Sequence, residues 1–238
     1  MKMPLSHAFT ALALMSLSLN AHAITRSQVY GDVLTRQAQT VYVMATTGMT
    51  TVDSEAAGSK ETKATTDYEL GGWLGEDRIV GIKISSEKRD VPFELNHSRS
   101  RTSFTDVRMQ GRLWVFVPSV GLSLSEVEVS QVDSKTVDLF GTGISMGLGA
   151  HASIYPGLVL TANAQSVRTD HVYDKLGQSA TLGQRDELDA HIAFDLTERL
   201  LDLIVGYKGR RYTVETEEQV FVEQSQGAYA GLRLGIYF

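Results

Sequence analysis

The sequence predicts an all-β fold: an antiparallel up-and-down transmembrane β-barrel of about ten strands, with eight or twelve as the alternatives. Three features carry that prediction. Segment after segment sorts its apolar and polar residues by parity, the period of a strand with two unlike faces. Short connections alternate with longer polar ones. Residues 24–238 contain no run approaching the roughly 18 apolar residues that a membrane helix needs, so a chain with this apolar face crosses a bilayer as strands.

The first residues have the layout of a secretory signal peptide, 1–23: Lys2, an apolar stretch over 8–19, then Ala21-His22-Ala23. Cleavage after Ala23 leaves 238 − 23 = 215 residues, enough for one sizeable domain. Lys2 is the only charge lost, so the mature balance is 21 − 28 = −7. That acidity excludes a nucleic-acid partner, which requires a cationic surface. Cysteine is absent, so burial and backbone hydrogen bonds must stabilise the exported chain. Residues 24–39 are too polar for a lipid-facing strand and are read as a periplasmic or luminal arm; 40–238 form the barrel.

In chain order, outward Tyr68, Leu70 and Leu74 oppose inward Asp67 and Glu69. Val80, Ile82 and Ile84 oppose Lys83 and Glu87; Val107, Met109, Leu113 and Val115 oppose Asp106, Arg108, Gln110 and Arg112. Leu122 and Leu124 open a run whose parity carries Glu126 and Glu128 toward lipid, so a β-bulge near Ser125 is expected to return both to the lumen. Phe140, Ile144, Met146, Leu148 and Ala150 oppose Gly141, Gly143, Gly147, Gly149 and His151. Leu158, Leu160, Ala162 and Ala164 oppose Thr161, Asn163 and Gln165; Leu188, Ala190, Ile192, Phe194 and Leu196 oppose Glu187, Asp189, His191 and Asp195. Leu203, Val205 and Tyr207 oppose Asp202, Lys208 and Arg210. The tail alternates from Ala228 to Phe238, with Tyr229 and Arg233 inward.

Short turns are expected at 75–78, 118–121, 155–157 and 197–199, and longer loops over 53–63, 88–98, 131–136, 169–184 and 215–219. This places both barrel ends in the periplasm. Outward Tyr68, Phe140 and Tyr207 fall near one membrane interface, and Phe194 and Phe238 near the other.

A terminal Phe238 preceded at alternate positions by Ile236, Leu234 and Leu232 resembles the assembly signal of Gram-negative outer-membrane barrels. The resemblance covers about the last eleven residues and extends to no particular family. It implies an outer-membrane location, recognition by the barrel-assembly machinery during biogenesis, and outer-membrane lipid and lipopolysaccharide as surroundings.

The inward charges form the candidate site: Asp67, Glu69, Lys83, Glu87, Asp106, Arg108, Arg112, Glu187, Asp189, His191, Asp195, Lys208, Arg210 and Arg233. Pairing Leu196 with Leu201 sets Asp189 opposite Lys208 and Glu187 opposite Arg210. Buried charges persist when paired, so the expected lumen is closed by ion pairs. A narrow charge-lined path for a small solute or ion is the other reading. The glycines of 141–149 leave an inward trough, to be filled by Trp114, Tyr229, Arg112 or the arm, or else to serve as a ligand slot.

His151 and Ser153 resemble the His-x-Ser of lipid A deacylase barrels, but sit beside a periplasmic turn, away from outer-leaflet lipid. Asp170 and His171 resemble the Asp and His of the omptin surface proteases, without those enzymes' long loops. No catalytic set, metal site or cofactor motif is assigned. The expectation is a non-enzymatic barrel serving envelope integrity, surface contact or narrow solute passage, with an outer-membrane enzyme acting on lipid A or surface polypeptides as the rival.

Overall fold

The computed structural model describes residues 41–55, 58–74, 79–94, 97–131, 134–155, 157–174, 179–197, 200–216 and 220–236, and the side chains of these except 131–137, 170–182 and 216. The expected leader 1–23, the arm 24–39 and Phe238 lie outside the described residues.

Ten strands close into one antiparallel barrel: β1 (Val41–Ser54), β2 (Ser59–Leu74), β3 (Val80–Phe93), β4 (Ser98–Gly111), β5 (Phe116–Gln131), β6 (Ser134–Tyr155), β7 (Leu158–Asp174), β8 (Ser179–Asp195), β9 (Leu201–Thr216) and β10 (Val220–Ile236). Each pairs with its sequence neighbours, and β1 closes against β10 from Val41 opposite Ile236 to Ser54 opposite Glu223. Val41 and Ile236 mark the lower end, where four turns lie; five hairpins form the upper end.

A continuous apolar belt surrounds the lower half. Val43, Leu70, Ile82, Met109, Leu122, Met146, Val205 and Leu234 point outward from eight strands, and Leu122 is 68 % and Met146 64 % exposed. Inward at the same height are Lys83, Arg108, Asp189 and Arg233. A water-soluble barrel places these two classes the other way round; this arrangement suits acyl chains outside and a polar lumen. Tyr68 and Tyr207 stand at the upper margin of the belt and Phe194, Trp114 and Tyr155 at the lower, as two aromatic girdles.

Above the belt the polarity inverts while the parity runs on. Inward Val52, Val91, Phe93, Phe104, Val127, Val129, Leu139, Tyr212, Val214 and Phe221 form one core in which no side chain is more than 3 % exposed. Outward on the same strands stand Asp53, Lys88, Asp90, Arg101, Glu126 and Arg211. This upper half is built like a soluble barrel with a dry centre and a wet wall.

Three expectations are corrected here. The turn expected at 118–121 lies at 112–115: Leu113 and Phe116 exchange backbone hydrogen bonds of 2.8 and 3.0 Å, and Trp114 adopts φ 60. Leu113 and Val115 therefore belong to this turn rather than to β4. Pro118 sits inside β5, opposite Leu148, close enough to the strand start for its missing donor to be tolerated.

The five long loops are mostly strand. Pairing breaks only between Ser54 and Ser59, Phe93 and Ser98, Gln131 and Ser134, Asp174 and Ser179, and Thr216 and Val220. Polar outward residues there remove the apolar alternation without removing the hydrogen-bonded ladder. The bulge expected near Ser125 is absent: β4 pairs with β5 without a slip, and the β5–β6 irregularity falls between Val129 and Ser130. Glu126 and Glu128 stay outward because they stand above the belt, where Arg101 approaches Glu128 at 3.6 Å. No lipid contact needs relieving.

Candidate functional site: a charged lumen beneath an apolar cap

The centre of the lumen is an ion-pair cluster drawn from strands distant in sequence. Opposite registers on β8 and β9 bring Glu187 to Arg210 and Asp189 to Lys208. Arg210 forks across two carboxylates, with Nη2 2.6 Å from both Glu87 and Glu187 and Nε 3.0 Å from Glu187. Lys208 Nζ lies 2.7 Å from Glu87, 3.2 Å from Asp67 and 3.4 Å from Glu187. Glu87, Glu187, Asp67, Lys208 and Arg210 therefore act as one unit. Arg89 joins them through Glu87.

Around this unit stand smaller groups. Lys83 pairs with Glu69, which also accepts a 2.8 Å hydrogen bond from Tyr42. Arg185 Nη2 donates to both oxygens of Asp106 at 2.5 and 2.6 Å, while Gln165 bridges Asp106, Ser145 and Arg108. Asp189 accepts from Tyr229 at 2.5 Å and lies 3.2 Å from His191 Nδ1. Lower down, Arg233 binds Asp202 at 2.6 and 2.8 Å. Of the sequence-predicted set, Arg112 lies off the strands, in the turn, with its guanidinium 5.9 Å from the Trp73 ring. Asp195 lies at the lower rim, accepting from the Thr197 backbone N–H at 3.2 Å.

Arg185, Arg89, Asp202, Gln165 and Tyr229 complete these groups although none belongs to the predicted charge set. Arg185 and Arg89 fall in stretches that read as loops. Their signal was the unbroken parity of Arg185-Glu187-Asp189 on β8 and of Glu87-Arg89 on β3.

The remaining cavity, between Asp67, Glu87, Arg108, Asn163, Lys208 and Tyr229, measures about 60 Å³. That holds a few water molecules. The glycine trough of β6 is filled by its neighbours: a Cβ on Gly143 would lie 2.8 Å from Thr169 Oγ1, on Gly147 2.8 Å from Ser119 Oγ, and on Gly149 2.5 Å from Asn163 Oδ1. Tyr229 instead covers Gly206, and Trp114 is half exposed at the turn.

Directly above the charges sits the cap. Phe104 marks the boundary, with the guanidiniums of Arg185 and Arg210 at 4.7 and 4.6 Å from its ring centre. Tyr212 meets Phe104 edge-on at 5.5 Å and Phe221 at 6.1 Å. Within this cap, above the membrane belt, Glu223 is buried and accepts a 2.7 Å hydrogen bond from Ser100. Burial pushes its carboxyl above the usual range; the Ser100 hydroxyl and the charge of Arg89 oppose the shift without cancelling it.

The candidate hydrolytic residues do not assemble. Ser153 Oγ donates to the Tyr155 carbonyl at 3.3 Å rather than to His151. The side chains of Asp170 and His171 lie outside the described residues. Among the described residues, no three His, Cys, Asp or Glu side chains are grouped to hold a metal ion.

No protein-family profile matches the chain, and no curated protein matches it. Several solved structures resemble its fold. Neisserial surface protein A is 15 % identical, with 84 % of this chain and 99 % of that one covered, at a TM-score of 0.42. The transport unit of the autotransporter AIDA-I from Escherichia coli is 11 % identical over 84 % and 91 %, at 0.48. The translocator domain of the autotransporter NalP from Neisseria meningitidis is 12 % identical over 91 % and 97 %, at 0.43. These likenesses concern the barrel alone.

Proposed function

We propose that this chain is an integral barrel of the Gram-negative outer membrane, serving envelope integrity as a closed, non-enzymatic scaffold. The belt spans the bilayer, the lower end faces the periplasm, and the upper half stands outside the cell as a stiff, dry-cored stalk. Export through the leader and recognition of Leu232, Leu234, Ile236 and Phe238 by the barrel-assembly machinery belong to the same reading.

The observation that carries it is the apolar cap. An ion passing the luminal charges would next have to shed its water among Phe104, Tyr212, Phe221 and the valines around them. Desolvating one ion costs several kcal/mol even after relaxation, and an apolar constriction excludes water as well. Narrow solute passage and surface catalysis have no comparable feature in their favour. Planar-bilayer recording of the purified barrel tests the proposal. A flat current is expected; stable, ion-selective steps from the unmodified protein would overturn it.

A further inference from the structure

On β7, β8 and β9 the first charges above the belt are Arg168, Asp186 and Arg211, all facing outward. Arg168 and Arg211 are exposed, and neither has an ion-pair partner among the described residues. Asp186 faces Arg211 across β8 and β9. Its two oxygens, however, are taken by Ser166 at 2.7 Å and Gln184 at 2.8 Å. Elsewhere on this wall the arginines are matched: Arg99 binds Asp90, and Arg101 stands between Asp90 and Glu128. Two guanidiniums are left for something outside the chain.

The face beneath them continues into the lipid belt. Ala162 pairs with Ala150 on one side and Ala190 on the other. Met146 and Leu148 rise on β6 and Tyr207 on β9. An acyl chain lying on this low floor carries its headgroup up to the level of Arg168 and Arg211. A guanidinium is a planar fork that matches the oxygens of a phosphate, and unlike a carboxylate such a headgroup is available in the leaflet itself.

We propose that this face binds a phosphate-bearing glycolipid of the outer leaflet, with the phosphate held by Arg168 and Arg211 and the acyl chains on the Ala150, Ala162 and Ala190 floor. The proposal rests on the outer-membrane reading above.

The test is native mass spectrometry of the whole barrel in a neutral detergent, with diphosphorylated lipid A as probe and its dephosphorylated form, which has the same acyl chains, as comparison. The parent protein should retain the phosphorylated form at least about tenfold better. Arg168→Gln with Arg211→Gln should remove that preference, and Lys60→Gln, on the far wall, should keep it. Equal retention of the two lipids by the parent, or an unchanged preference in the double variant, overturns the site. Failure of the parent to insert into phosphatidylcholine vesicles would instead count against the membrane-spanning reading itself. Insertion without lipid preference removes only the site.

Discussion

Replacing Phe104 with alanine asks whether the upper lumen is dry. The ring is 3 % exposed, meets Tyr212 at 5.5 Å, and lies under Arg185 and Arg210 at 4.7 and 4.6 Å. In a close-packed interior, deleting a phenyl group costs about 3–5 kcal/mol through lost transfer energy and the cavity left behind. Each desolvated guanidinium–ring contact adds about 1–2 kcal/mol. Water cannot refill a hole walled by valine and phenylalanine, so the loss should fall in the upper part of the packing range, about 4–5 kcal/mol. Were this region hydrated, water would occupy the space and the cost would shrink to about 0.5 kcal/mol, the scale of surface substitutions.

Urea unfolding of the barrel in vesicles, followed by tryptophan fluorescence, reads the difference. Ser103→Ala is the control, since Ser103 is the next residue on β4 and its side chain lies on the outer face. A Phe104→Ala protein within about 0.5 kcal/mol of its parent would refute the dry cap. The non-conducting reading would lose its support with it.

Arg210→Met should cost about 3–5 kcal/mol, because it strips Glu87 and Glu187 of their shared guanidinium and leaves them buried; adding Glu187→Gln should recover part of this in a double-mutant cycle. Leu122→Arg, on an outward side chain within the belt, should cost about 2–4 kcal/mol in vesicles, whereas Glu126→Leu, above the belt, should stay within about 0.5 kcal/mol. If both substitutions behave alike, the upper margin of the membrane has been drawn wrongly. Glu223 has a raised carboxyl pKa in the folded state, so the native protein holds that proton more tightly than the unfolded chain does. Its stability cost is absent at pH values below the unfolded carboxyl range and grows as pH rises through the folded pKa. Glu223→Gln should therefore match the parent in acid and exceed it at pH 8 in urea midpoint; a variant weaker at both would sink the assignment.

The barrel was legible in the sequence wherever the two faces differ in kind. Belt residues such as Leu203, Val205 and Tyr207 against Asp202, Lys208 and Arg210 give strand, parity and register together, and the pairing of Glu187 with Arg210 follows from one turn. The signal fades above the belt, because alternation there no longer sets oil against charge. Lys88-Arg89-Asp90 reads as a loop although it is a strand with Arg89 buried inside. Pro118 suggested a turn where the backbone in fact turns at Trp114, and no composition cue marks a non-glycine residue at φ 60. Arg185, which reaches Asp106 across the lumen from β8 to β4, depends on barrel closure, which local pattern does not contain.

Glu126 and Glu128 show what the inversion means for function. Read as lipid-facing, they demand a bulge; placed above the belt, they are ordinary wall residues, and their inward neighbours Val127 and Val129 become the informative ones. One strand, β5, thus presents Leu122 to acyl chains and Val127 to a dry core without changing register. The ion-pair cluster below does not by itself close the lumen, since paired charges hold water and water conducts. Closure arises where the solvent of the interior changes, at Phe104, with guanidiniums on one side and Tyr212 and Phe221 beyond. A barrel built as a channel would keep its polar lining through to the upper mouth; this one replaces it with ten side chains that exclude water.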